Sequence, residues 1–134
     1  MESKHIHNGI YTGANGRKSL LDLEIPSDFN GKLVIFIHGY MGFKDWGCWN
    51  GVQSYFVQQG FGFCKYNVSH NGGTLNDAID FPDLEAFSIN SYLKELTDLI
   101  AILDWVQNYF KELPEICLIG HSRGGGIALL GSND

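Results

Sequence analysis

The sequence predicts an α/β fold: a mostly parallel sheet with an N-terminal antiparallel hairpin and helices on both faces. Three observations carry this. Two strand-like runs joined by a turn open the chain. A continuously apolar, β-branched run, Lys32-Leu33-Val34-Ile35-Phe36-Ile37, reads as a strand buried on both faces, as central strands of parallel sheets are. Beyond it, helical and strand-like patterns alternate, which is how right-handed crossovers build a parallel sheet.

Lys4 to Tyr11 and Lys18 to Ile25 flank Thr12-Gly13-Ala14-Asn15-Gly16-Arg17, where Asn15-Gly16 supplies the positive φ angles of a tight hairpin turn. Gly13 to Ser19 faintly resembles a phosphate loop, but Arg17 breaks the required Gly-Lys-Ser/Thr ending and no helix pattern follows, which removes nucleotide binding. Pro26 to Gly31 is a turn into the Lys32 to Ile37 strand, and His38 to Trp46 is a loop rich in glycine and aromatics. Trp49 to Gln59 can form a helix with Val52, Tyr55 and Phe56 on one face, ended by Gly60. Phe61 to Val68 is the next strand, and a long loop runs from Ser69 to about Asn90.

The clearest helix lies within Ser91 to Phe110, where Leu93, Leu96, Leu99, Ile100, Leu103, Val106 and Phe110 recur every three or four residues. Its acids and lysines read as a solvated face. Pro114 stops it, Ile116 to Ile119 forms a short buried strand ending in Gly120, and a third helix starts at about Arg123. With no repeat or linker, residues 1–134 read as a single domain.

At 134 residues, with 44% hydrophobic and 18% charged positions, the chain can bury a real core. A net charge of −6 with only 9 Lys+Arg offers no basic stripe for a phosphate backbone, so nucleic acid is not an expected partner. Met1, which reads as a true start, is followed by neither the basic start nor the apolar core of a signal peptide. The longest apolar run, Leu33 to Ile37, is far short of the roughly 20 residues that span a bilayer. Cys48, Cys64 and Cys117 are an odd number without CxxC spacing, and two of them lie in apolar runs where cysteine acts as a small hydrophobe. A reduced cytoplasm is therefore the expected setting, with no metal site and no disulfide.

The chemistry concentrates at Gly120-His121-Ser122-Arg123-Gly124. A G-x-S-x-G pattern is weak alone, but here it lies between a strand and a small-residue helix start, Gly124 to Leu130, which is the setting the motif requires. A serine at such a turn has a strained backbone, and only small residues two before and two after it let strand and helix approach. Ser122 then stands at the carboxyl edge of the sheet and at a helix N-terminus, and the Arg123 N–H faces the position of a tetrahedral oxyanion. His38-Gly39-Tyr40-Met41-Gly42 follows the Leu33 to Ile37 strand and reaches the same edge, so two halves of an oxyanion hole come from separate loops.

Together, HGYMGFKDW and GHSRGG resemble the α/β-hydrolase superfamily of serine esterases, lipases and peptidases, and most of all the small bacterial hydrolases of the dienelactone-hydrolase-like groups. The resemblance spans the chain but only the N-terminal half of the family. It implies Ser122 as nucleophile, Tyr40 or Met41 with Arg123 as backbone oxyanion donors, and Gly39, Gly120 and Gly124 as motif glycines. It implies a small-molecule acyl substrate, a carboxylic ester or related bond, and no cofactor. Tyr66 to Gly72 stands where many members carry a D-x-R-G-H-G turn and departs from it in most letters, so no role is carried over.

Family members place the acid and then the histidine after the nucleophile, yet beyond Ser122 this chain holds one acid, Asp134, and no histidine. The domain is therefore expected to be incomplete at its C-terminus, with the strand ending at Ile119 as an open edge. The alternative to an esterase-like enzyme is a non-catalytic hydrolase-like module or an inactive fragment.

Among the remaining candidates, His121 reads as a spacer packed beside the serine turn, and His38 as a shaping residue of the oxyanion loop. His70 is an outside candidate for the base, with Asp77 or Asp80 to orient it. His5 and His7 read as a surface face. Phe43, Trp46 and Trp49 read as core more than as an acyl pocket. Arg123 could bind a substrate carboxylate, although its backbone N–H is the safer assignment.

Overall fold

The computed structural model describes residues 2–132. Its elements are β1 (Lys4–Thr12), β2 (Lys18–Ile25), β3 (Lys32–Ile37), α1 (Trp49–Gln58), β4 (Gly62–Tyr66), α2 (Leu84–Ser88), α3 (Tyr92–Tyr109), β5 (Glu115–Gly120) and α4 (Arg123–Gly131). The strands form one sheet in the order β1-β2-β4-β3-β5. β1 and β2 pair antiparallel, β2 meets β4 antiparallel, and β3 runs parallel to both β4 and β5. This is the expected mixed sheet.

Alternation along β3 divides the core. Leu33, Ile35 and Ile37 face the cluster formed with Leu99, Ile102 and Val106 of α3 and Ile127 of α4. Val34 and Phe36 point the other way, onto Phe63 and the α1 residues Trp49, Val52 and Phe56. Helices thus cover both faces, and all five apolar residues of β3 are buried. In the hairpin, Asn15 and Gly16 have the expected positive φ, 56° and 72°. The turn is wider than a two-residue loop, because the Ala14 N–H leaves the hairpin and donates to Asp98 Oδ1 at 2.7 Å.

The structure corrects several expectations. α3 is rotated so that Glu95, Asp98, Leu99, Ile102 and Val106 form its buried face, while Leu93 and Ile100 are exposed. Its acids are therefore not all solvated. Two of them find buried partners, which offset the cost of removing a carboxylate from water. Tyr55 of α1 is exposed, leaving Val52 and Phe56 to pack. The stretch from Ser69 to Asn90 is not all loop but holds α2, whose first turn is capped by the Asp83 carboxylate accepting from Ala86 N–H.

β5 is only half buried rather than buried, and Cys117 is exposed rather than core. The reason is positional: β5 is the last strand of the sheet, and no described strand pairs with its outer edge. Beside it an opening of about 610 Å³ lies between Leu103, Ile116, Leu118 and Ala128.

These placements separate the thiols. Burial, reinforced by the nearby Asp22 charge, pushes Cys64 up to about 12, whereas Cys48 and Cys117 are exposed. At pH 8 a maleimide is expected to modify Cys48 and Cys117 in the native chain and Cys64 only in denaturant. Mass spectrometry of the quenched protein reads this out, and equal native labelling of Cys64 would contradict the packing.

Candidate active site

The three parallel strands end level, with Ile37 of β3 opposite both Tyr66 of β4 and Gly120 of β5. The residues that follow them, His38, Asn67 and His121, therefore share one edge. At β5 the ladder continues one step further, with His121 N–H donating to Ile37 O at 3.0 Å, and the chain then reverses into α4. Ser122 makes the reversal with φ 55° and ψ −117°, a conformation costly for any residue with a Cβ. Its side chain is exposed and does not cap the helix.

Gly120 and Gly124 are needed by contact, not only by conformation. A Cβ on Gly120 would overlap the Gly124 carbonyl, and one on Gly124 would overlap the Ile37 and His38 carbonyls. Gly39 is similarly close: a Cβ there would stand 2.9 Å from His121 O and 3.2 Å from Ser122 Cβ. The loop after β3 thus rests directly on the serine turn. Gly42 N–H donates to Gly39 O at 3.0 Å, closing a turn whose third residue, Met41, has φ 56°. Among the described residues, the N–H groups of Tyr40, Met41 and Arg123 donate to no protein acceptor.

Buried polar contacts hold this loop. His38 Nδ1 lies 2.9 Å from Gly39 O, and Val68 N–H lies 3.0 Å from Nε2. A carbonyl only accepts and an amide N–H only donates, so the ring is neutral with its proton on Nδ1. Burial lowers its pKa to about 4, partly opposed by the Gly39 hydrogen bond. Lys44 N–H donates to Asn67 Oδ1 at 2.6 Å. Lys44 Nζ also reaches Asp22 at 3.0 Å and Asp45 at 2.7 Å, while Lys65 Nζ reaches the same two carboxylates at 2.6 and 2.9 Å. Burial alone would raise the Asp22 carboxyl. The Asn8 N–H and the two ammonium groups overcome that and hold it below the ordinary range.

A second set of contacts holds the segment after β4. Asp98, fully buried, accepts from Ala14 N–H, from Ser69 N–H at 2.7 Å and from Ser69 Oγ at 3.0 Å. Burial raises its carboxyl, and these donors only partly offset the rise. Arg17 donates from Nε to Ser69 O at 2.7 Å and from Nη2 to Gly73 O at 3.2 Å, and pairs with Asp83 at 2.9 Å. The residue that breaks the phosphate-loop pattern is therefore the clamp of the long segment.

His70 does not join Ser122. Its Nδ1 is 2.8 Å from Ser69 Oγ, which in turn donates to Asp98, and its pKa is lowered by burial and by the Arg17 and Lys94 charges, partly opposed by Asp83. Asp77 and Asp80 do not orient it; Asp77 instead accepts from the Ile79 and Asp80 N–H groups in a local turn. His121 packs its ring 5.1 Å from Trp49, which also contacts Phe36. Phe43 packs against Phe81, whereas Trp46, although its ring lies beside Trp49, is exposed rather than core. The Arg123 guanidinium is tied to Glu95 and lies 4.1 Å over the Tyr92 ring, so it is not presented to a substrate carboxylate. His5 and His7 are exposed, as expected of a surface face, and His7 Nδ1 lies 3.2 Å from Asp22 Oδ1.

Sequence reading missed Asp98, Glu95, Arg17 and the Asp22, Lys44, Asp45 and Lys65 group. Signals existed: Lys65 interrupts the apolar stretch Phe61 to Tyr66, Asp22 sits among Leu20, Leu21 and Leu23, and Asp98 falls at helical spacing with Ile102 and Val106. No group of three or more His, Cys, Asp or Glu positioned for a metal occurs among the described residues. Nor does any described helix have the length and apolarity to cross a membrane.

The sheet order, the parallel β3-β4-β5 core and the strained turn before α4 define an α/β-hydrolase-like fold. Comparison with solved structures gives the same result. The chain is similar to dienelactone hydrolase from Anabaena variabilis, with TM-score 0.74 and 18% identity over 98% of this chain and 57% of that one. It is also similar to an α/β serine hydrolase without lid from Xanthomonas campestris, with TM-score 0.72 and 17% identity over 99% and 56%. Est1E from Butyrivibrio proteoclasticus, solved with ferulic acid bound, matches with TM-score 0.69 and 24% identity over 92% and 47%. The chain spans about half the length of these structures. No protein-family model and no curated protein matches it.

The neutral, buried His38 has a measurable consequence. Unfolded, it takes a proton near pH 6.5; folded, it does so only near pH 4. The unfolded state binds more protons between these values, so stability falls as pH falls, by ~3 kcal/mol for this group. Carboxylates add their own slopes in the lower part of this window and below it, burial having raised Glu95 and Asp98, so the comparison is with His38→Gln. Urea unfolding from pH 7 to pH 4 is expected to show the parent chain losing stability relative to that variant, and a pH-independent difference would refute the buried neutral ring.

Proposed function

We propose that this chain is the nucleophile-bearing part of a serine hydrolase acting on carboxylic-ester or related acyl bonds of a small molecule. Ser122 Oγ attacks the carbonyl carbon as its proton passes to a general base supplied from outside the described residues, which later delivers it to the leaving alcohol. The oxyanion that forms accepts hydrogen bonds from Arg123 N–H and from Tyr40 or Met41 N–H. Collapse of the tetrahedral intermediate expels the alcohol, which leaves with a proton, and water then releases the acid from the acyl-Ser122 intermediate. This chemistry calls for no metal or organic cofactor.

The observation that carries the proposal is the Ser122 backbone, φ 55° and ψ −117°, between β5 and α4, with the side chain exposed and uncommitted to a helix cap. Likeness to Est1E and to an esterase from Pyrococcus furiosus supports ester hydrolysis as the reaction class. The three cysteines, none of them paired, support a reducing, cytoplasmic setting. Residues 1–134 are read as one α/β-hydrolase domain without its acid and histidine, because no described histidine or carboxylate hydrogen-bonds Ser122 and the general base must come from elsewhere.

That same observation favours the second reading, a non-catalytic hydrolase-like module. A fluorophosphonate probe and a short-chain p-nitrophenyl ester separate the two. The expected result is covalent labelling at Ser122 that is lost in Ser122→Ala, with ester hydrolysis above that variant's rate. Absence of labelling together with equal hydrolysis rates would leave the module reading.

A further inference from the structure

We propose that the opening bordered by Met41, Phe81, Leu84 and Phe87 is a subsite for an uncharged, ring-sized apolar group, an aryl group, carried by the acyl substrate. What the aryl group is attached to rests on Ser122 as nucleophile. The pocket itself does not.

Backbone strain points to the place. Among the described residues, five non-glycine residues have positive φ: Asn8, Asn15, Met41, Phe81 and Ser122. The two asparagines tolerate the left-handed region because their short amide side chains bond locally. The other three do not, at a cost on the order of 1–3 kcal/mol each, and strain of this kind gathers at ligand sites. Met41 and Phe81 border the same opening, and Met41 belongs to the loop that rests on Ser122.

The opening adjoins the loop that rests on the serine turn. Met41, Asn71 and Phe87 border it, and the same three residues border the crevice lined by Gly39, Tyr40 and Arg123. Its volume is about 270 Å³. An apolar cavity of roughly 150 Å³ accommodates benzene, so there is room for a ring and a short linker.

Its walls are apolar and braced from behind. Phe81 packs on Phe43 at 6.0 Å and Phe87 on Tyr40 at 5.5 Å, while Gly72 fits between the two phenylalanines, where a Cβ would lie 3.3 Å from Phe81 Cδ1 and 3.5 Å from Phe87 Cβ. The Asn71 amide is occupied, donating to Gly42 O and accepting from Gly73 N–H. Two aromatic walls and a thioether favour an aromatic ring over an alkyl chain of equal length. Asp80 at the border disfavours a ring that carries a carboxylate.

Binding without turnover provides the test. In Ser122→Ala, ¹³C-methyl methionine labelling reports on Met41, one of only two methionines in the chain. Methyl 3-phenylpropionate is expected to shift the Met41 methyl and to bind at least tenfold more tightly than methyl propionate. Leu84→Trp, at an exposed position, should fill the opening and abolish the shift, and Asp80→Asn should improve binding of the 4-carboxyphenyl analogue several-fold without changing the neutral ester. Equal affinities for the two neutral esters, or a shift that survives Leu84→Trp with no response to Asp80→Asn, would overturn the subsite. Aryl binding in Ser122→Ala alongside an unlabelled Ser122 in the parent chain would sustain the subsite while removing the nucleophile; Ser122 labelling without aryl preference would do the reverse.

Discussion

The close approach of α4 to the end of β3 is the constraint on which the rest of the site depends. No side chain fits at Gly124 between the helix and the Ile37 and His38 carbonyls, and none fits at Gly120 against the Gly124 carbonyl. With both positions bare, the chain leaves β5 and enters α4 across only His121 and Ser122. Ser122 absorbs the reversal in its own backbone. Its side chain consequently projects from the carboxyl edge, and the Arg123 N–H opens the helix beside it, where the helix dipole favours negative charge. Ile127, one turn further on and fully buried, locks the helix into the α3 side of the core. A methyl group at position 124 would move α4, and with it the serine, the Arg123 N–H and the contact with Gly39.

Around that crossing, the carboxyl edge of the sheet is held by polar groups more than by apolar packing. Asn67, Ser69, His70, Asn71, His38, Lys44, Lys65, Asp22 and Asp98 are all buried there or behind it. Such a network is stabilising only when its members are satisfied, because a buried polar group left alone costs about 1–3 kcal/mol and a buried charge more. Here each tie runs between different elements of the fold. His38 links the loop after β3 to the loop after β4, Lys44 and Asp45 link the former to β2 and β4, and Asp98 links α3 to the hairpin turn and to Ser69. Apolar contacts are non-directional and would let these loops slide, whereas hydrogen bonds and ion pairs fix their register. The loops that present Tyr40, Met41 and Phe81 can therefore hold strained backbones.

This division explains what the sequence disclosed. β2 and β3 were legible to the residue, and the strand-turn-helix setting of Ser122 was legible because steric exclusion at Gly120 and Gly124 leaves a local signature. The apolar face of α3 was read in part: Leu99, Leu103, Val106 and Phe110 do pack on the core, but periodicity counts apolar residues and cannot see that Glu95 has Arg123 and Asn90 as partners. Two of its three acids, Glu95 and Asp98, are buried, and Leu93 and Ile100 are not. α2 escaped notice because five residues with Pro82 before them carry too little periodicity, and its cap, Asp83, is fixed by Arg17 from far away in sequence. Asp98, Arg17 and His38 act through tertiary partners, so their roles have no local pattern. The same holds for Cys117, whose apolar neighbours suggest a core strand although the strand lies at the sheet's edge.

The described residues divide the proposed chemistry unevenly. Electrostatic stabilisation of an oxyanion needs rigid N–H donors, and the loops that would supply them are braced by the contacts above. Each such donor is worth about 2.7–4 kcal/mol in acyl-transfer enzymes, and this contribution does not depend on a titrating side chain. Proton transfer is different. It needs an imidazole or carboxylate within hydrogen-bond reach of Ser122 Oγ, and the nearby histidines are committed elsewhere: His38 to Gly39 and Val68, His70 to Ser69, and His121 to Trp49. In serine hydrolases generally, oxyanion contacts and binding alone leave roughly a 10³–10⁴-fold enhancement over water when triad members are removed. A site with this geometry and no base would thus stabilise charge once formed while leaving the serine hydroxyl protonated. Its reactivity would favour strongly activated acyl and phosphonyl electrophiles over ordinary esters, since a good leaving group relaxes the need for general-acid help.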